Sequence, residues 1–199
     1  MAMKKAKTLT HEQFQELFDS ASTSKNGGRD RVMLLLSFKC GLRACEIARL
    51  RWSDVTDARG TILPVGAAIE LGHHITKGNK PDTKVYMHTM LRDALVELRK
   101  VVAGDPAQFL MYTTRRGAGP GMSVTGLTVY LHRLYAKFGL KGCSSHTGRR
   151  TFITTLARVC NNYDNSLKDV QLLARHADIR TTEKYIDLSP RVIQMAISV

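Results

Sequence analysis

Apolar residues in this chain recur mostly at intervals of three and four, the spacing that gives a helix one buried face. Phe14, Leu17 and Phe18 follow Thr10-His11-Glu12-Gln13, a capping-box pattern that predicts a helix start. Past the Ser/Gly-rich turn at 22–28, RDRVMLLLSFKC is apolar nearly all round its helical projection, which predicts a buried central helix ended by Gly41. A short helix carrying Glu46, Ile47 and Leu50 is expected to end near Trp52. Leu91, Leu95 and Leu98 line one side of a helix over about 89–103, stopped by Gly104-Asp105-Pro106. Ser123 can cap a helix whose inner face holds Leu127, Leu131, Leu134 and Phe138. Further helices are expected from about His146 to Cys160, from Ser166 with Asp169 completing a capping box, and after Ser189-Pro190.

The helical period is interrupted once. Over residues 60–88, Gly60, Pro64 and Gly66 punctuate β-prone pieces, and ITKGNKPDTKVYMH reads as two strands joined by a Lys/Gly/Asn/Pro turn. There is no internal repeat and no linker. The pattern therefore predicts a single domain over 1–199, mainly α with a small antiparallel β-sheet, after a flexible N-terminus at 1–8.

Composition supplies the substrate class. Hydrophobic residues are 43% of 199, enough for a core and too many for global disorder. Thirty Lys and Arg against 17 Asp and Glu give a net charge of +13, which favours a polyanionic partner. Between Asp105 and Asp164 there is no acidic residue, while Arg115, Arg116, Arg133, Lys137, Lys141, Arg149, Arg150 and Arg158 fall inside. A single-sign segment of this kind suits a surface laid against phosphates.

Several other classes are disfavoured. The basic loop TTRRGAGPGM at 113–122 lacks the G-K-[ST] ending of a nucleotide-binding loop. Cys40, Cys45, Cys143 and Cys160 form no C-x-x-C pair, and the interval from Cys143 to His146 has no second pair at zinc-finger spacing. No apolar stretch approaches the ~20 residues of a membrane span, and MAMKKAK lacks a signal-peptide core. A reducing, cytoplasmic setting with no membrane partner is expected.

The candidate chemistry lies in three places: Arg43 in GLRACEIARLRW, His146-Thr147-Gly148-Arg149, and His176 with Tyr185 nine residues on in RHADIRTTEKYIDL. Cleaving a DNA strand without a metal needs clamped phosphate oxygens, an in-line nucleophile and a proton for the departing oxygen. An arginine fork suits the clamp because it donates two hydrogen bonds and keeps its charge. A tyrosine suits the nucleophile because its phosphate ester conserves the bond energy for rejoining. Each residue also has a plain structural explanation. Arg43 could form a helical ion pair with Glu46, His176 could cap the helix 166–175, and Tyr185 could lie on a helix surface. Arg150 lies four residues from His146, so spacing leaves it equivalent to Arg149.

The order of these blocks resembles the catalytic domain of the tyrosine recombinases, the phage integrase family. GLRACEIARLRWSDV is similar to the family's first arginine block, which implies Arg43 as a phosphate clamp and Glu46 as its support. ITKGNKPDTKVYMH resembles the family's β-hairpin and implies Lys77 as the general acid for the leaving 5′ oxygen, with Lys80 and Lys84 nearby. HTGRRTFIT resembles the second block, selecting Arg149 over Arg150 and giving His146 a part in proton handling. LLARHADIRTTEKYIDL is similar to the final block, with His176 as phosphate donor and Tyr185 as nucleophile.

The resemblance spans about residues 8–188. It implies cleavage through a 3′-phosphotyrosine with a free 5′ hydroxyl, then strand exchange, with neither a metal nor ATP as cofactor. The partners it implies are double-stranded DNA and other protomers in a DNA-bound synaptic tetramer. Arg115, Arg116, Arg150, Lys80 and Lys141 are the expected further DNA contacts. Most family members also carry an N-terminal core-binding domain, which this chain is expected to lack. The tail 189–199 is expected either to pack on its own domain or to dock on a neighbouring protomer. The competing functions are a type IB topoisomerase-like nicking-closing enzyme and a non-catalytic DNA-binding regulator or accessory protein on the same fold.

Overall fold

A computed structural model describes residues 6–76, 83–102, 105–113, 120–160 and 166–185. The described chain holds eight α-helices: α1 His11–Ser22, α2 Gly27–Phe38, α3 Ala44–Arg49, α4 Thr89–Val101, α5 Val124–Lys137, α6 Thr147–Val159, α7 Leu167–Ala174 and α8 Ile179–Glu183. Strands β1 (Ala68–Glu70) and β2 (Lys84–Tyr86) form a two-stranded antiparallel sheet with Ile69 opposite Val85. The chain divides into two compact units between Phe152 and Ile153, within α6.

In the first unit, the all-round apolar run becomes α2. Val32, Met33, Leu34, Leu35 and Leu36 are all fully buried, so every face of that helix meets protein. It packs against α1, α3 and α4. α1 starts as its sequence predicts: Thr10 accepts from the Gln13 amide and Gln13 returns a bond to the Thr10 amide. Phe14 then stacks on Phe18 and tilts against Phe38 of α2. α5 is capped by Ser123 and buries Leu127, Leu131 and Tyr135, whereas Leu134 and Phe138 are only partly covered.

One ion pair is buried beside this core. Arg29 meets Asp30 at 2.8 Å, with side chains 3% and 1% exposed. Such a pair is tolerated when its remaining valences are filled. Here Asp30 also accepts from Ser24 and from the Tyr130 hydroxyl, while Arg29 donates to the Tyr112 carbonyl and lies over the Tyr112 and Tyr130 rings. Burial and the bond to Asp30 push the Tyr130 phenol up to about 12.

The hairpin differs from expectation in one respect. Its first strand is Ala68–Glu70, whereas Ile75 lies in a turn with its amide bonded to the Gly72 carbonyl. Ile69 and Leu71 bury their side chains against the core, and that burial sets the pairing. In the second unit, Ser166 and Asp169 form the expected capping box of α7. Among the described residues no helix is long and apolar enough to cross a membrane. The expected helix after Ser189-Pro190 and the tail 189–199 lie outside the described residues.

Candidate active site

In the first unit, two glycines set where the arginines lie. Gly41 has φ +65°, and a Cβ there would come 2.3 Å from Cδ1 of Phe152. A Cβ on Gly148 would meet Ser37 Oγ at 2.2 Å and Phe38 Cδ2 at 2.8 Å. The start of α6 therefore presses directly on the end of α2 and the turn after it. Arg149, only 5% exposed, uses this proximity to donate Nη1 to the Gly41 carbonyl at 2.5 Å. Arg150 is half-buried. The two arginines that spacing left equivalent thus have different environments, and Arg149 is the one turned toward the Gly41–Arg43 turn.

Arg43 follows two residues after Gly41 and caps α3. Glu46, 3% exposed, accepts from the Arg43 amide at 2.8 Å and from its guanidinium at 2.9 Å. The helical ion pair is therefore present. It also fixes the direction of a guanidinium that is 38% exposed. A carboxylate holding both backbone and side chain of one residue is a support for that side chain.

The turn before α6 is held by short-range hydroxyl bonds. Ser144 Oγ accepts from the His146 amide at 3.2 Å, and Thr147 Oγ1 accepts from the Ser144 amide at 2.9 Å. Thr151 Oγ1 accepts from the Leu9 amide at 3.1 Å, and the Lys7 amide donates to the Gly142 carbonyl at 3.2 Å. His146 and Lys141 remain exposed at this turn.

Lys77, Lys80, Arg115 and Arg116 lie outside the described residues, and their flanks are well tied. Arg49 donates to the Ile75 carbonyl at 3.2 Å, and His74 pairs with Asp54 at 3.2 Å. The Leu71 amide bonds the Thr83 carbonyl at 2.7 Å. At the base of the 113–122 loop, Thr113 bonds the Pro120 carbonyl through amide and hydroxyl, and Met122 bonds Met111.

In the second unit, α7 ends in a left-handed turn. Arg175 has φ 56° and ψ 43°, and its amide bonds the Gln171 and Leu172 carbonyls. The His176 amide reaches back to the Gln171 carbonyl at 3.1 Å, so the backbone of His176, not its ring, caps the helix. The ring is held elsewhere: Nδ1 lies 3.0 Å from Thr182 Oγ1, and the ring stacks on Tyr185 with centroids 5.6 Å apart. Asp178 caps α8, a short helix that turns the chain back so that Tyr185 meets His176. Tyr185 is half-buried beyond the end of that helix. Nothing in the local sequence pattern marks Thr182 or Gln171. Thr181 and Thr182 look alike there, and only the fold shows that Thr182 is buried.

An imidazole stacked on a phenol can order both groups beside a phosphate. A buried arginine bonded to the turn that leads into a braced, partly exposed arginine can supply a positive locus.

Residues 7–191 match the profile of the phage integrase family. Tyrosine recombinase XerD of Listeria innocua is 30% identical over 181 residues, covering 90% of this chain and 57% of that protein. Tyrosine recombinase XerC of Herpetosiphon aurantiacus is 29% identical over 188 residues, covering 92% and 56%. The chain thus spans a little over half the length of these curated relatives. Among solved structures, the Tn1549 transposon integrase in complex with transposon right end DNA superposes with a TM-score of 0.72 at 19% identity, covering 99% of this chain and 66% of that one. XerH site-specific recombinase bound to palindromic difH substrate, in a post-cleavage complex, gives 0.69 at 19% identity, covering 100% and 54%. These last two likenesses establish the fold, and the sequence profile establishes the kinship: the chain belongs to the phage integrase family of tyrosine recombinases.

Proposed function

We propose that this chain carries the catalytic centre of a site-specific recombinase, cleaving and rejoining DNA strands through a covalent 3′-phosphotyrosine at Tyr185. The observation that carries the reading is the stacking of the His176 ring on Tyr185 at 5.6 Å, which sets a candidate phosphate donor beside the candidate nucleophile. The DNA-bound and post-cleavage states of the two fold neighbours support DNA as the substrate.

In the proposed reaction the Tyr185 oxygen attacks phosphorus, the bond to the 5′ oxygen breaks, and Lys77 protonates that leaving oxygen. The roles proposed for Arg43, Arg149 and His176 are to donate hydrogen bonds to the non-bridging phosphate oxygens. His146 accepts the phenol's proton, and returns it when the tyrosine leaves in the rejoining step. Rejoining is the reverse step with the 5′ hydroxyl of another strand, which regenerates the free tyrosine. Other recombinase protomers assembled on the same DNA are the proposed partners, with residues 189–199 contributing to that assembly.

The test is a nicked suicide duplex incubated with protein and examined for an adduct that survives SDS. Wild type forms it; Tyr185→Phe binds the DNA and forms none. An adduct persisting in Tyr185→Phe overturns the assignment of the nucleophile. DNA binding without any adduct from wild type turns the reading toward a non-catalytic DNA-binding protein.

A further inference from the structure

We infer that Thr182, assisted by Gln171, is a positioning residue for His176, holding its imidazole as the tautomer with the proton on Nε2. The inference rests on the reading of His176 as a phosphate donor and says how the fold prepares it for that work.

The starting point is a buried hydroxyl. Thr182 is fully buried, inside the short helix between His176 and Tyr185. A buried hydroxyl left without an acceptor is costly, so its hydrogen must be placed. Among the described residues, the one hydrogen-bond partner of Thr182 Oγ1 is His176 Nδ1, at 3.0 Å. Nδ1 can accept that hydrogen only with its lone pair, and a neutral imidazole with a bare Nδ1 carries its proton on Nε2. The opposite tautomer would turn Nδ1–H toward the threonine oxygen and leave the hydroxyl hydrogen with nothing to bond. The threonine thus selects which edge of the ring is the donor.

Two further restraints fix where that edge points. Gln171, 5% exposed, donates its side-chain amide to the His176 carbonyl at 3.0 Å, while its own carbonyl accepts the His176 amide at 3.1 Å. The backbone of His176 is therefore gripped on both sides by one buried residue. The ring, already tied at Nδ1, lies against Tyr185. A donor whose tautomer and orientation are set before substrate arrives loses little freedom when the phosphate docks.

The test uses single-turnover cleavage of a suicide duplex, DNA affinity and nitrogen-15 NMR of the histidine rings. In wild type, the His176 resonances, assigned by their loss in His176→Ala, should report the proton on Nε2; a proton on Nδ1 overturns the inference without any variant of Thr182. Thr182→Val, nearly the same shape without the hydroxyl, should slow adduct formation about 10- to 100-fold with DNA affinity little changed, as loss of an orienting bond does at other sites. Thr182→Ser should restore most of the rate. In a His176→Ala background, Thr182→Val should have no further effect, because it acts through that ring. A Thr182→Val protein that cleaves like wild type, or that loses as much with His176 as without it, overturns the inference. Should His176→Ala itself cleave at the wild-type rate, the phosphate-donor role of His176 fails, and this inference with it.

Discussion

Gly41 and Phe152 approach so closely that a Cβ on residue 41 would overlap the phenylalanine ring, 2.3 Å from its Cδ1. The same glycine has φ +65° and offers its carbonyl to Arg149. Alanine at 41 meets two penalties, a left-handed backbone and an overpacked contact. Together they should destabilise the protein by about 2–4 kcal/mol. Equilibrium urea unfolding of Gly41→Ala measures this. Its adduct formation should fall as well, since the carbonyl that orients Arg149 shifts with the turn.

Arg149 and Arg150 are neighbours with different surroundings, and their alanine variants should separate two kinds of loss. Arg149→Ala removes a proposed transition-state donor and should lower the cleavage rate by ~10²–10³. Arg150→Ala should leave single-turnover cleavage at saturating protein nearly intact, and reduce the dependence of log affinity on log salt by about 1 if it meets a phosphate. Rates and salt titrations on one duplex decide between them. Equal rate losses in both variants would remove the distinction drawn from burial.

Much of the helical framework was legible because its causes are local. Thr10 with Gln13, Ser123 before Gly126, and Ser166 with Asp169 cap helices where their spacing says they should. The buried run in α2 needed only counting. What the residues could not show was which of several similar side chains the fold turns inward. Arg149 and Arg150 are adjacent, as are Thr181 and Thr182; a bond to the distant Gly41 carbonyl singles out Arg149, and burial beside the His176 ring singles out Thr182. The sequence pattern shows a hairpin but puts its first strand later than Ala68–Glu70. Pairing is decided by which apolar residues reach the core, and Ile69 does so from a strand while Ile75 does so from a turn. The candidate site residues came from order and resemblance. Their braces, Gln171 and Thr182, came from burial.

His88 caps α4 by accepting the Met90 amide on Nδ1 at 3.2 Å. Burial, and secondarily the nearby charge of Lys39, lower its pKa below the usual histidine value. A histidine depressed in the folded state contributes stability that is complete above its unfolded value of 6.5. That contribution is lost as pH falls from there through the folded value, because a half-buried imidazole near Lys39 is costly to charge and, once charged, no longer accepts the Met90 amide. His88→Asn keeps a capping oxygen and does not titrate. Melting curves at pH 7 and pH 5 should show a smaller acid-induced drop in Tm for the variant than for wild type. An equal drop would mean that protonation of His88 contributes nothing to the acid loss.

Arg175 adopts φ 56°, the sole positive value at a non-glycine among the described residues. Glycine fits that C-cap without strain, so Arg175→Gly should stabilise the protein by about 1 kcal/mol, the usual cost of a left-handed side chain. Urea midpoints measure the gain. A loss of stability would mean that the arginine side chain contributes more through its contacts than its backbone costs.

The Arg29–Asp30 pair should behave as one unit, because neither ion has water to fall back on. Asp30→Ala leaves a buried guanidinium without its counter-ion, and Arg29→Ala leaves a buried carboxylate and strips the Tyr112 carbonyl of its donor. Each single change should cost about 3–5 kcal/mol, mostly the penalty of the stranded charge. The double variant strands no charge, so its cost should fall short of the sum by more than about 1 kcal/mol. It should still be less stable than wild type, since Ser24, Tyr130 and Tyr112 keep polar atoms that the pair had satisfied. Urea unfolding of the three variants gives the coupling directly. Additive losses would show that each ion is held by its hydroxyl and carbonyl partners independently of the other.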